Sequence, residues 1–247
     1  MLKTVVFGSH GFLGEHLYNK LQSLGQQVIR GDREGNIPDK VAVLYDLASY
    51  GNLWGQNDLK EIERANVTRV GKLLSQTKMY DKAIVTSTSS VSMGHTTPYA
   101  NAKRKLETIA EEYGAVIIRP YSIYGSGDYR EHLIPKVFRS CLENEPMELD
   151  PSPTHDYIWV EDLVDLYIDP PSKLVEAGTG KGTTNGEVVR LIQKITGKIA
   201  NITAIKKGLR AYDQPDWRAP MPVKENMVRL EDGLRKIYDR IHHSQRH

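Results

Sequence analysis

Three glycines at a spacing of three, Gly8-x-x-Gly11-x-x-Gly14, stand between two short patterned stretches near the start of the chain. Before them Thr4-Val5-Val6-Phe7 is β-branched and aromatic, a pattern that predicts a buried strand. After them the run from Glu15 to Leu24 puts Leu17, Leu21 and Leu24 on one helical face, and Gly25 ends it. A second strand follows at 27–32, so the segment predicts a βαβ unit of about 30 residues. In such a unit the first glycine permits a tight turn, the second lets backbone N–H groups approach a pyrophosphate, and the third lets helix and strand pack closely. The helix N-terminus then favours the anion. Gly8, His10, Gly11, Phe12, Leu13 and Gly14 are therefore candidate dinucleotide contacts.

Asp32 ends the second strand, 18 residues beyond Gly14. A carboxylate there accepts hydrogen bonds from ribose hydroxyls and repels a 2′-phosphate, which predicts NAD. Arg33 beside it is a possible partner for that phosphate and keeps NADP open. Further on, strands are expected at 41–48, 82–86 and 116–118, and helices at 57–76, 99–113, 133–142, 160–167, 185–196 and 230–241. Residues 148–153 read as turn-rich. Alternating strands and helices imply an α/β fold, a Rossmann-type doubly wound parallel sheet. We assign residues 1–126 to a dinucleotide-binding domain, with 154–182 returning to it. Residues 127–153 and 183–247 then form a small C-terminal α/β substrate-binding cap.

Tyr99 and Lys103 are four residues apart and so neighbours on one helix face. A phenol is a poor base at neutral pH, and a nearby ammonium is expected to lower its pKa. The pair follows a strand that ends in Ser87-Thr88-Ser89-Ser90, which supplies a hydroxyl at Thr88.

With these residues the chain resembles the extended short-chain dehydrogenase/reductases, the NAD-dependent epimerase/dehydratase family. Leu47-Ala48-Ser49, Asn66-Val67, Ser87-Thr88-Ser89-Ser90-Val91 and Pro98-Tyr99 to Lys103 are similar to family motifs. So are Arg119-Pro120-Tyr121-Ser122-Ile123-Tyr124-Gly125, the stretch His155–Asp162, and Gly178–Gly182. The resemblance implies Thr88, Tyr99 and Lys103 as catalytic residues. It implies Leu47, Ala48, Ser49, Asn66, Ser87, Tyr99, Lys103 and Tyr121 beside the cofactor, and Ser122 and His155 toward a nucleotide-sugar substrate, to which we add Arg218 as a substrate-side candidate. Its chemistry would be that of a 4-epimerase or a 4-ketosugar reductase. Dehydration is disfavoured, since Ser89 and Ser90 stand where an acid–base pair would be needed.

Several departures affect the substrate side. The family's third strand is missing between Asp32 and Val41, and only ten residues separate Thr88 from Tyr99. Ser122 stands where an Asn is common, and His155 where an Arg grips phosphate. These changes keep open an alternative reading as a catalytically reduced dinucleotide-binding module used for redox sensing or regulation. Tyr212, Trp217 and Arg218 could grip a nucleotide or pin a loop, and His95 is a secondary acid–base candidate.

Lys and Arg number 33 against 31 Asp and Glu, so nucleic acid is not an expected partner. The single cysteine, Cys141, reads as a buried core residue in a cytoplasmic protein. No metal site and no membrane span are expected. The resemblance implies a homodimer through the helices at 57–76 and 99–113.

Overall fold

The computed structural model describes residues 3–53, 55–205 and 217–244. Backbone contacts divide the chain into two compact units. The first comprises residues up to Pro120 together with Val164–Ala177, and the second Tyr121–Leu163 and the residues from Gly178 on.

The first unit is built on a six-stranded parallel sheet in the order β2-β1-β3-β4-β5-β9. Its strands are β1 (Lys3–Phe7), β2 (Val28–Arg30), β3 (Val41–Asp46), β4 (Tyr80–Thr86), β5 (Val116–Pro120) and β9 (Leu174–Ala177). The βαβ unit formed by β1, α1 (Phe12–Ser23) and β2 is present as expected. The order reverses at β1, which has β2 on one side and β3 on the other. In open α/β sheets ligands bind outside the carboxyl ends of the strands at such a reversal. β2 is an outer strand, and no strand forms among 31–40, as the shortened connection implied. That connection is instead tied to Gln76, which lies between the helix ending at Leu74 and β4 and donates to the Gly35 carbonyl at 2.8 Å.

The apolar face expected over 57–76 forms α2 (Leu59–Glu63), a π-helical turn (Arg64–Thr68) and α3 (Arg69–Leu74). Ile62, Val70, Leu73 and Leu74 are buried there. α4 (Ser89–Ser92) and α5 (Pro98–Glu112) follow β4. α5 starts at Thr97, whose hydroxyl accepts from the Ala100 N–H, with Pro98 in its first turn. Leu106 and Ala110 of α5 join Val5, Phe7, Leu44, Val85 and Ile117 of the sheet in one apolar core.

The second unit has a three-stranded sheet, β10 (Gly182–Thr184), β8 (Thr154–Trp159) and β6 (Ser122–Tyr124). A two-stranded pair is formed by β7 (Met147–Leu149) and β11 (Ile202–Ala204). α6 (Leu133–Glu143), α8 (Asn185–Thr196) and α9 (Leu230–Ser244) supply helical faces to its core, with Phe138, Cys141, Val188, Ile192 and Leu234 buried. α7 (Val160–Ile168) contains the point at which the chain passes back to the first unit.

Two expectations need correction. The return to the first unit runs over Val164–Ala177, not 154–182, because β8 pairs with β6 and β10 of the second unit. The stretch 148–153 is not turn throughout, since Met147–Leu149 pairs with Ile202–Ala204. These strands are three residues long, too short for a period of two to show.

Candidate active site

The glycine turn sits at the carboxyl end of β1 and is shaped by contacts that leave no room for side chains. Gly8 has φ +75°, and a Cβ there would stand 2.6 Å from the Ala48 nitrogen. A Cβ on Gly14 would stand 2.0 Å from the Gly8 carbonyl oxygen. Both glycines are thus required for the turn to lie against the end of β3 and beneath α1. Arg30 at the end of β2 donates to the Ser9 carbonyl at 2.8 Å and stacks over Tyr18, its guanidinium 3.8 Å from the ring centroid. His10 is exposed, Gly11 and Phe12 are partly so, and Leu13 and Gly14 are buried.

Asp32 is exposed and accepts from the Glu34 N–H at 3.0 Å, the Asn36 N–H at 3.1 Å and the Asn36 amide at 2.9 Å. Burial would raise its pKa, but the bonds from Asn36 and Glu34 outweigh that and hold the carboxyl ionised below its usual range. Its oxygens are therefore charged and oriented, with accepting capacity left for hydroxyl groups. Arg33 is exposed beside it and lies within the electrostatic reach of Glu61.

Tyr99 and Lys103 fall on one face of α5, and the Lys103 Nζ lies 5.7 Å from the Tyr99 ring centroid. Lys103 is fully buried and donates to the Thr86 carbonyl at 2.9 Å. Tyr99 keeps part of its surface accessible. Its Oη lies 3.4 Å from Ser49 Oγ, which in turn is 3.0 Å from Asn66 Oδ1. Asn66, wholly buried in the π-helical turn, donates to the carbonyls of Tyr50 at 2.7 Å and Ile62 at 2.9 Å. The π turn marks a local break in the helical ladder, with a side-chain amide bonding the backbone four residues earlier. Thr88 stands two residues beyond Thr86, and its hydroxyl caps α4 by accepting from the Ser90 N–H at 3.3 Å.

The expected lowering of the Tyr99 pKa does not hold in this structure. Burial pushes the phenol up to about 12, against a smaller opposing effect of the Ser49 bond. Burial also pushes Lys103 down to about 8; Asp46 opposes this, Arg69 adds to it and Glu107 opposes it. Burial of the phenol, which disfavours its charged form, is the physical reason for the correction.

Two ion-pair systems lie beneath the pair. Arg69 Nη2 donates to both oxygens of Asp46 at 2.8 Å, and both residues are buried. Arg119 binds both oxygens of buried Glu107, at 2.8 and 2.6 Å, and reaches Glu176 at 2.7 Å. Ser87 Oγ donates to the same Glu107 carboxylate. Sequence reading missed these residues as a group. The available signal was Arg69, a charged residue three positions beyond Asn66 on a helix face otherwise apolar at Ile62, Val70 and Leu73.

Among the remaining candidates, Leu47, Ala48 and Ser49 directly follow β3; Leu47 and Ala48 meet the glycine turn, and Ser49 faces Tyr99 and Asn66. Tyr121, Ser122, His155 and Arg218 belong to the second unit. There β6 and β8 are neighbours, and His155 bridges to Trp217 with ring centroids 5.7 Å apart, which brings Arg218 beside the strand. Asp156 is wholly buried and accepts from Thr179, Gly180 and Ala219, so it anchors the loop at 178–180. Tyr212 lies outside the described residues. His95 is buried, and its carbonyl accepts from Arg104. Among the described residues no group of three metal-ligating side chains is found, and no helix is long and apolar enough to cross a membrane.

A parallel sheet that reverses at a glycine turn, with a Tyr/Lys helix after β4, is a Rossmann-type arrangement. The model of the NAD dependent epimerase/dehydratase family matches residues 52–169 of the chain. The chain is 25% identical to CDP-abequose synthase of Salmonella typhimurium, with 73% of this chain and 76% of that protein covered. Its structure is similar to that of MoeE5 in complex with UDP-glucose and NAD, with a TM-score of 0.86 at 21% identity over 98% of this chain and 99% of that one. UDP-glucuronic acid 4-epimerase from Bacillus cereus, in complex with UDP-glucuronic acid and NAD, gives a TM-score of 0.80 at 21% identity over 98% and 100%. The NDP-hexosamine 5,6-dehydratase TunA gives 0.83 at 19% identity over 98% of each chain.

Proposed function

We propose that this protein is an NAD-dependent enzyme acting on a nucleotide sugar, of the 4-epimerase or 4-ketosugar reductase type. The observation that carries the reading is the pairing of Tyr99 with a fully buried Lys103 held on the Thr86 carbonyl. A dinucleotide fits the residues present, because the glycine turn is a cradle in which a Cβ on Gly8 or Gly14 would collide with backbone. The turn at 8–14, Asp32, the end of β3 at 47–49 and Lys103 would hold it. When bound, NAD supplies a hydride acceptor and, once reduced, a hydride donor.

The chain's own groups handle the proton. Tyr99 Oη takes it from a sugar hydroxyl or returns it to a ketone oxygen. Thr88 Oγ1 bonds the same reacting oxygen. Lys103 Nζ orients the ribose beside the phenol. Ser89 and Ser90, both buried, offer no carboxylic acid for dehydration. CDP-abequose synthase, MoeE5 and the 4-epimerase, by the substances they are named for or bound to, support a nucleotide sugar as substrate class. On the substrate side, Ser122, His155 and Arg218 are the residues we assign to gripping it.

A second reading, a dinucleotide-binding module with reduced turnover, is favoured by one observation, the phenol of Tyr99 pushed up to about 12. Incubating the protein with NAD and a panel of UDP-, CDP- and GDP-sugars, with products resolved by mass spectrometry, separates the two. Conversion of a sugar that Tyr99→Phe no longer converts supports the enzyme. Tight NAD binding with no conversion across the panel favours the module.

The assembly we infer is a homodimer through α2–α3 and α5, which pack on each other and leave Leu59 63% exposed. Light scattering at micromolar concentration tests this; a monomer mass would refute it. The single free cysteine is buried and suits a cytoplasmic setting.

A further inference from the structure

The charges around Lys103 are arranged in an unusual way for a buried ammonium. Two carboxylates lie in its electrostatic surroundings, Asp46 on β3 and Glu107 on α5 itself. Each is already engaged on both oxygens by an arginine, Asp46 by Arg69 on α3 and Glu107 by Arg119 on β5. Glu176 on β9 is taken by Arg119 as well. The other titratable groups are phenols, Tyr99 on α5 and Tyr167 on α7, the latter bonded to the Thr86 hydroxyl at 2.7 Å. Lys103 itself has a carbonyl as its hydrogen-bond acceptor and forms no salt bridge within 4 Å among the described residues.

We propose that Arg69 is a positioning residue for Lys103: by occupying both oxygens of Asp46 it denies the ammonium a carboxylate, and leaves its charge to be satisfied by the oxygen atoms of the incoming dinucleotide. The geometry supports this beyond the simple pairing. Arg69 uses Nε on the Ala65 carbonyl at 3.2 Å and Nη2 on Asp46 and on the Ala48 carbonyl at 3.3 Å, which locks the guanidinium in place. Asp46 Oδ1 also accepts from the Ala48 N–H at 3.3 Å, so the same carboxylate is bound to the strand end that meets the glycine turn. Burial pushes Lys103 down to about 8; Asp46 and Glu107 oppose this, and Arg69, beside Asp46, adds to it. Dinucleotide binding above that pH then draws a proton onto Lys103, and affinity falls as pH rises.

The inference rests on the reading of Lys103 as the lysine that faces the dinucleotide. Its test is therefore made without any sugar substrate, on the ligand-free protein. The protein is labelled with 13C-lysine, Lys103 is assigned from the signal lost in Lys103→Met, and its midpoint is followed by NMR as a function of pH. Arg69→Met releases Asp46, and the Lys103 midpoint is expected to rise by about one pH unit or more. Arg69→Lys keeps the counter-charge and is expected to leave the midpoint close to that of the unaltered protein. Asp46→Asn leaves the guanidinium unopposed and is expected to lower it. The double variant Asp46→Asn/Arg69→Met, which removes both charges, is expected to restore it. Should Arg69→Met fail to fold, Asp46→Asn and the double variant still decide. A midpoint that does not move in a folded Arg69→Met or in Asp46→Asn, or one displaced upward in the double variant, overturns the proposal. A wrong assignment of substrate would leave all of these midpoints untouched.

Discussion

At the scale of single residues, Lys103 is a wholly buried ammonium whose hydrogen-bond acceptor is a backbone carbonyl. An ammonium buried without a carboxylate destabilises the fold as long as it stays charged. Its folded-state pKa of about 8 lies below the ordinary 10.5, so below pH 8 both folded and unfolded chains are protonated and the penalty is present in full. Between pH 8 and 10.5 the unfolded chain binds more protons, and stability from this group rises with pH. Lys103→Met should therefore stabilise the ligand-free protein at pH 7 by on the order of 1–2 kcal/mol. That is the relieved burial penalty of about 2–3 kcal/mol less about 1 kcal/mol for the orphaned Thr86 carbonyl. Urea unfolding at intervals from pH 7 to 10 checks it: the advantage should shrink as pH rises, and a variant no more stable at pH 7 would contradict the argument. The same variant should bind NAD more weakly. Tyr99→Phe keeps the ring and loses the oxygen, so turnover should drop by about 10²–10⁴-fold or more with NAD affinity nearly unchanged. Near-normal turnover in that variant would remove Tyr99 from the mechanism.

At the scale of elements, the turn between β1 and α1 is the least tolerant piece of the chain. Gly14→Ala would place a methyl group 2.0 Å from the Gly8 carbonyl, a collision with backbone that no rotamer relieves. We expect a loss of about 3 kcal/mol or more, beyond the usual range for overpacking because the obstacle is main chain. A urea midpoint within error of the unaltered protein would show that the turn can yield. This turn was also the most legible element, since its glycines, the apolar run before them and the leucines after them all act locally. The helices at 99–113 and 185–196 were legible for the same reason, and the structure shows their starts capped locally by Thr97 and Thr184. What stayed hidden depends on partners distant in sequence. The pairing of Ser122–Tyr124 with Tyr157–Trp159 and the Asp46–Arg69 contact have no local signature beyond a charged residue on an apolar face. The spacing of Tyr99 and Lys103 predicts that they are neighbours on one helix face, as they are, but not their pKa directions, because burial and competing ion pairs are properties of the packed sheet and helices.

For the whole molecule, the course of the chain has a thermodynamic consequence. It passes between the two units after Pro120, after Leu163 and after Ala177, so neither unit is one continuous stretch. Unfolding either unit disturbs the strand or helix that leads into the other, which argues for a single cooperative transition. A ligand held by the first unit should then raise the melting temperature of the entire protein. At a hundredfold excess over its dissociation constant a ligand adds about 2.7 kcal/mol, which for a chain of this size corresponds to roughly 5–10 °C. NAD should give this shift, and NADP at the same concentration a smaller one. We expect this difference because the Asp32 carboxylate, held ionised by its bonds from Asn36 and Glu34, would repel a 2′-phosphate. Asp32→Ala should bring the two shifts together by weakening the response to NAD and relieving the response to NADP. Scanning calorimetry with each dinucleotide decides the matter. A larger shift with NADP would mean that Arg33 outweighs the carboxylate, and two separate transitions would mean that the units melt independently.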